Sequence, residues 1–212
     1  MQLSSKTTVL LSPFLIIVVN ILVSLTFGSF MGKWVFIPII LIEWCLFAFF
    51  IWRFGGKESI KKWLQKPKGS WGWNVLAMVV GFLPLSLFLL FYETLNHWTV
   101  WVPWLLLAVI NPWLEEGYWR GLLGDFTAKW KTWLSVLFCS SLFSMNHAVF
   151  GIYSEVNSGF DVLIATFVMG VIWAWVYAKT RSLRWCIASH FLVDFLNLSA
   201  PAFLDFTASN RG

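Results

Sequence analysis

The sequence predicts an all-helical integral membrane protein, a polytopic bundle of seven or eight transmembrane helices. Three observations predict it. Hydrophobic residues make up 59% of the 212 and charged residues 12%, against roughly 45–50% and about 25% in soluble domains. Apolar runs of about 20 residues, the length that crosses a bilayer, recur along the chain. The 16 Trp fit the same class, because Trp concentrates at membrane interfaces. So few charges cannot cover a water-facing surface, which excludes a soluble globular enzyme. A disordered chain and a disulfide-stapled module are excluded by the same numbers.

The runs, in order, are 9–30, 34–52, 74–92, one from about 99 into the 120s, 132–153, 161–178 and 183–199. A tail over 201–208 could form a short eighth element. The first run reads as a retained span. Its apolar core exceeds the 7–15 residues of a signal peptide, and no clear small-residue cleavage site follows. The longest polar stretch is 53–73. Within it Ile60, Trp63 and Leu64 share one helical face and Lys57, Lys61, Lys62 and Lys66 take the rest. That suits either a helix lying on an anionic leaflet or an ordinary positive loop. There is no internal repeat and no soluble second domain. The chain 1–212 reads as one transmembrane domain, with N-terminal spans over 9–92 and core spans over 99–200.

Lys and Arg set the orientation. With the N-terminus inside, the inner segments hold Lys6; Arg53, Lys57, Lys61, Lys62, Lys66 and Lys68; Arg120, Lys129 and Lys131; and Lys179, Arg181 and Arg184. These thirteen stand against Lys33 and Arg211 outside. The expectation is a multi-pass cell-membrane protein with a cytoplasmic N-terminus. The net charge of +5 does not indicate nucleic acid, since the basic residues fill the gaps between apolar runs. Cys45, Cys139 and Cys186 sit inside apolar runs without metal-ligand spacing and read as small buried hydrophobes.

Ionisable groups inside spans are costly and mark function by default. They are Glu43, Glu115, Glu116, Arg120, His147, His190 and Asp194. Glu43 stands alone, and the sequence suggests no partner for it. Glu116 and Arg120 are four apart on one helical face, in the favourable order. Glu115 points about 100° away, so desolvation acts on it without an arginine and favours a general base. Gly117 and Gly121 form a step that lets another element approach closely. Asn111 and Pro112 either interrupt the helix there or cap a new segment.

Glu115 and His147 lie sixteen residues either side of Lys131. In an antiparallel hairpin they sit level, roughly 20 Å from the inner turn at 1.5 Å per residue. They are expected to face each other. This requires the fourth helix to continue to about Thr127. His190 and Asp194 share a face, 8 and 12 residues beyond Ser182, and tilt could bring them level. The constellation is expected to open towards the inner side. His97 falls in a short outer loop and reads as inert.

Three pieces, Glu115-Glu116-x-x-x-Arg120, Phe143-x-x-x-His147 and His190-x-x-x-Asp194, resemble the motif set of the CAAX protease and bacteriocin-processing family, also called Abi. Its eukaryotic members include the CAAX prenyl endopeptidase of the Ras-converting type. The resemblance covers about residues 100–200, in the family's order. It implies an intramembrane glutamic endopeptidase with a cavity open to the cytosol. Glu115 and His147 would activate a water, His190 and the residue at Asp194 would stabilise an oxyanion, and Glu116 with Arg120 would brace the site. The last position is commonly Asn in the family. Asp194 donates only when protonated, so either it carries a proton or it orients His190, which then donates alone.

The rivals are few. Zinc could sit on Glu115, His147 and His190, although no H-E-x-x-H occurs; no other cofactor is expected. Ser144 and Ser189 lie near the two His, but no rhomboid-like G-x-S-G is present. An aspartyl pair is absent, since Asp194 is the only Asp deep in a span. Non-catalytic alternatives are bacteriocin-type immunity by binding, scaffolding, or a small transporter using the carboxylates as a proton relay. The partners expected are membrane lipid and a peptide or lipidated-protein substrate. Oligomeric state is left open.

Overall fold

A computed structural model describes residues 4–206, and every regular element in it is helical. Helix α1 (Ser5–Met31) starts at Ser4, whose hydroxyl accepts from the Thr7 amide at 3.2 Å, satisfying one orphan N–H of the first turn. It ends at Gly32, where φ is +56°, a conformation that glycine adopts without a Cβ clash. A tight turn, Gly32–Val35, leads into α2 (Phe36–Phe50). A wide π-type turn, Ile51–Gly55, then leads into α3 (Gly56–Trp63). Next come α4 (Gly72–Phe82) and α5 (Leu85–Phe91), divided at Pro84.

Helix α6 (Trp101–Glu115) runs straight through Asn111 and Pro112 and opens into a seven-residue π-turn, Glu116–Leu122, before α7 (Leu123–Phe126). The fourth run therefore does continue past Arg120 as one helical rod, with a change of pitch at the carboxylates. Such π segments are frequent at functional sites. The remaining elements are α8 (Thr132–His147), α9 (Phe160–Thr180), α10 (Arg184–Leu196) and α11 (Ser199–Phe203).

Four helical stretches are long and apolar enough to cross a membrane: Ser5–Trp63, Gly72–Asn96, Thr132–Ile152 and Phe160–Thr180. The first contains both α1 and α2, folded back at Gly32. The fourth and seventh expected runs fall outside this set. One carries Glu115, Glu116, Arg120 and Asp125, and α10 has only 13 residues. In the tail, α11 has five residues, too short to cross; positions 207–208 of the expected eighth element, and Arg211, lie outside the described residues.

The bundle has two distinct ends. At one, Asp125 gathers the 62–68 segment and the end of α9. It accepts from Trp63 Nε1 (2.9 Å), Tyr177 Oη (2.8 Å) and Arg181 Nη2 (2.7 Å), and Lys62 Nζ lies 3.6 Å away. Lys68 and Leu183 add backbone bonds to Thr180 and Trp63. This end carries most of the Lys and Arg and is called the basic end below. At the opposite end, Asp205 ties together Lys33, Ser154 and the amides of Glu155 and Val156. Each end has its own apolar cluster, around Trp119 and Trp173 at the first and around Phe36, Trp104 and Phe150 at the second.

Segment 56–63 is a helix, but its large apolar residue is not left for lipid. Trp63 is buried beside Gly121, where any Cβ would meet its ring at 2.9 Å. Gly117 faces Ile51 in the same way. The two glycines thus admit the Ile51–Gly55 turn and α3. Cys139 and Cys186 are buried as expected, whereas Cys45 is exposed on the outer surface of α2.

Candidate active site

The two adjacent carboxylates have different neighbours. Glu116 is fully buried, and its Oε1 lies 3.0 Å from Arg120 Nη1 and accepts a hydrogen bond from His190 Nδ1 at 2.9 Å. The Arg120 guanidinium also stands over the rings of Phe143 (4.0 Å) and Trp173 (5.1 Å), an electrostatic contact that gains from desolvation. Glu115 is 3% exposed, and among the described residues neither its Oε2 nor Glu116 Oε2 accepts a hydrogen bond. Glu115 Oε2 is 3.8 Å from His190 Nε2, and Asp194 Oδ1 is 3.7 Å from the same nitrogen. His190 and Asp194 are therefore level with the Glu pair.

The His190 ring is held on every side. It stacks on Trp173 at 4.6 Å. Trp173 Nε1 donates to the Ser189 hydroxyl, which donates to the Ala77 carbonyl. Ser144 donates to the Leu163 carbonyl. Both serines near the imidazoles are thus engaged with the framework. Asp194 Oδ2 accepts from Asn111 Nδ2 at 3.2 Å, and Asn111 Oδ1 accepts from Trp44 Nε1 at 2.8 Å. Asn111 does not cap a helix; it orients Asp194.

His147 departs from expectation. Its Nδ1 lies 2.9 Å from the Phe143 carbonyl. A carbonyl only accepts, so Nδ1 carries the hydrogen and Nε2 is the free nitrogen. Glu115 and His147 line one cavity of about 410 Å³. However, no ion pair within 4.0 Å joins them among the described residues, and the imidazole beside Glu115 is that of His190. The reason is local. His147 ends α8, where the chain tightens into the turn Ala148–Ile152, and its ring bonds back to its own helix.

Glu43 is the residue whose place the sequence did not reveal. It is 1% exposed and lines the same cavity. Asn146 Nδ2 donates to its Oε1, and Asn20 Nδ2 donates to Asn146 Oδ1 at 3.0 Å. The signal was an acid within an apolar run; its amide partners lie on two other helices. Among the described residues no group of three or more His, Cys, Asp or Glu is disposed to hold a metal ion.

The direction of the cavity corrects a second expectation. Its walls include Ile40 and Glu43 of α2, Leu87 of α5, Leu107 and Asn111 of α6, and Val162 and Thr166 of α9. Val156, Asn157, Asn197 and Ala202 continue the lining. Glu115, Phe143, Trp173 and His190 form its floor. These elements surround it with their opposite-end halves, and none of the basic-end segments contributes. The constellation does not open towards the basic side.

No curated protein and no solved structure matches this chain. Residues 96–196 match the family described as Type II CAAX prenyl endopeptidase Rce1-like. The matched segment contains all three motifs, from Glu115 to Asp194, and the match supports the resemblance to the CAAX protease and Abi family.

Proposed function

We propose that this protein is an intramembrane endopeptidase that hydrolyses a peptide bond in a membrane-associated or lipidated peptide. The observation that carries the reading is the contrast between the two acids. Glu116 Oε1 is engaged by Arg120 and His190, whereas Glu115 has no arginine ion pair among the described residues, lines the mostly apolar cavity and lies 3.8 Å from His190 Nε2. Glu115 takes a proton from water, and the resulting hydroxide attacks the scissile carbonyl. The free Nε2 of His147 receives a hydrogen bond from the water or the incoming amide. His190, fixed through Nδ1 by Glu116, donates from Nε2 to the oxyanion in its doubly protonated form. Asp194 orients that ring and is itself steered by Asn111. The proton held by Glu115 passes to the leaving amine.

In this reading the chain crosses the cell membrane seven times with its N-terminus in the cytoplasm. The α6 to α7 rod and α10 complete the set of spans around the site. Membrane lipid surrounds it, and no metal is required. A zinc-dependent version would use Glu115, His147 and His190. A non-catalytic immunity or scaffold role would use the same cavity for binding alone.

The test compares membrane proteomes from cells making the native protein and the Glu115→Gln form at equal level. Proteolysis predicts a peptide product that disappears with Glu115→Gln, a loss of about 10²-fold or more, and persists in chelator. An unchanged phenotype with Glu115→Gln supports binding without cleavage. Loss in chelator with recovery on zinc supports the metal version.

A further inference from the structure

We propose that a second hollow, behind Arg120, binds a phosphate-type oxyanion, either as a free ion or as the headgroup of an anionic lipid. This site stands apart from the proteolytic reading and does not depend on it.

The hollow holds about 160 Å³ at the basic end of the bundle and shares no lining residue with the cavity beside Glu115. Arg120 lines it, and its side chain is 1% exposed. Nη1 of that guanidinium faces Glu116 Oε1 at 3.0 Å, while Nη2 has no hydrogen-bond partner among the described residues. Trp119 lines the same hollow, fully buried, and its Nε1 is likewise without a partner among them. A buried donor without an acceptor is costly, more so where the group is charged. The hollow thus calls for a guest that accepts.

The lining sets the charge of that guest. It contains Arg120 and Arg181 and no Asp or Glu. Asp125, next to Gly124 in the chain, is not in the lining and already accepts from Trp63, Tyr177 and Arg181. The wall hydroxyls give their hydrogens to the framework: Thr127 to the Leu123 carbonyl, Ser135 to Thr127, and Tyr177 to Asp125. Water would bring these guanidiniums no compensating charge. An oxyanion brings both charge and acceptor oxygens, and the planar guanidinium fork suits paired phosphate oxygens.

The hollow is reached from the surface. Ala128 and Thr132 in its lining are exposed, and the Arg181 side chain is 31% exposed. Lys129 and Lys131 are exposed on the same short segment, a basic margin that raises the local concentration of anions. Trp130 also lines an apolar groove on the outer surface with Phe14, Leu134, Leu137 and Lys131. An acyl chain laid in that groove ends beside Trp130 and Lys131, at the margin of the hollow. A lipid phosphate and a free phosphate therefore reach the same donors. Either one shares Arg120 with Glu116 and ties the basic end to the turn Glu116–Leu122.

The experiment follows thermal unfolding of the purified full chain. In detergent at low salt, inorganic phosphate is raised against sodium chloride at matched ionic strength. In nanodiscs, phosphatidylcholine alone is compared with phosphatidylcholine containing phosphatidic acid. The expected result is a saturable rise in Tm with phosphate or with phosphatidic acid, beyond that with chloride. A rise with inorganic phosphate shows that the free ion suffices; a rise with phosphatidic acid alone assigns the lipid headgroup. Ala178→Met places a longer side chain in the hollow and should abolish the rise. Arg181→Gln keeps a donor for Asp125 and should weaken binding about tenfold or more. Lys57→Gln, at an exposed lysine outside the lining, should leave the rise unchanged. No saturable rise with either ligand, an equal rise in native and Ala178→Met forms, or a loss with Lys57→Gln overturns the proposal. If Ala178→Met does not fold, Arg181→Gln decides, and undiminished affinity in that form refutes the site.

Discussion

His190 Nδ1 donates to Glu116 Oε1 at 2.9 Å, and Arg120 Nη1 stands 3.0 Å from that same oxygen. One carboxylate oxygen thereby fixes both an arginine on its own turn and an imidazole from a helix 74 residues away. The bond also decides which nitrogen of His190 faces Glu115 and Asp194. In the proposed mechanism Glu116 acts through this ring, as a positioning residue.

Breaking that arrangement leaves a buried charge without a partner, which typically costs about 3–5 kcal/mol. Glu116→Gln and Arg120→Met are each expected to lower the thermal midpoint in detergent. The double replacement should recover much of the loss, because it removes both charges together. Thermal unfolding of the three forms checks this; a double form as unstable as the sum of the singles overturns it.

Glu43 ends a polar chain that starts at Asn20 and passes through Asn146, the neighbour of His147. Glu43→Gln keeps an acceptor for Asn146, whereas Glu43→Ala removes it. A buried polar group left without its partner costs about 1–3 kcal/mol. The Ala form is expected to lose roughly that much stability and to let His147 shift, lowering cleavage. The Gln form should stay close to native stability. Paired melting and cleavage measurements decide; equal behaviour of the two forms argues against the chain.

Asp205 provides the pH-dependent element outside the spans. Burial alone would push its carboxyl up. Hydrogen bonds from Lys33, the Ser154 hydroxyl and the amides of Val156 and Glu155 outweigh that and hold it below the usual carboxylate range. A depressed acid contributes stability that is complete above its unfolded value, about 3.9, and is lost as pH falls through the folded one. Acid is therefore expected to loosen the 154–158 loop first. Asp205→Asn should remove that pH dependence and destabilise the native form near neutrality by about 1–3 kcal/mol. Hydrogen exchange at the Glu155 and Val156 amides, read against pH, tests it.

Much of the site was legible along the chain. Spacing alone put Glu116 beside Arg120, because residues four apart share a helical face, and the ion pair forms within the π-turn. It also separated Glu115 from that pair. The hairpin count placed Glu115 and His147 at one level, and both line one cavity. It could not determine where the His147 ring turns, since the Phe143 carbonyl competes for its Nδ1. Nor could it find partners for Glu43, because Asn20 and Asn146 come from two other rods.

What the sequence determined by itself is the solvent and the chemistry: apolar runs require lipid, and intramembrane acids and imidazoles need a reason to be there. Composition and periodicity are properties of neighbours along the chain, so they are readable without coordinates. The tertiary structure decided which imidazole meets Glu115, that Asn111 steers Asp194, and towards which end the cavity leads. These depend on how helices tilt and cross, which is set by packing between residues distant in sequence. Trp63 against Gly121 is one such contact, and it closes one end of the bundle while the other stays hollow.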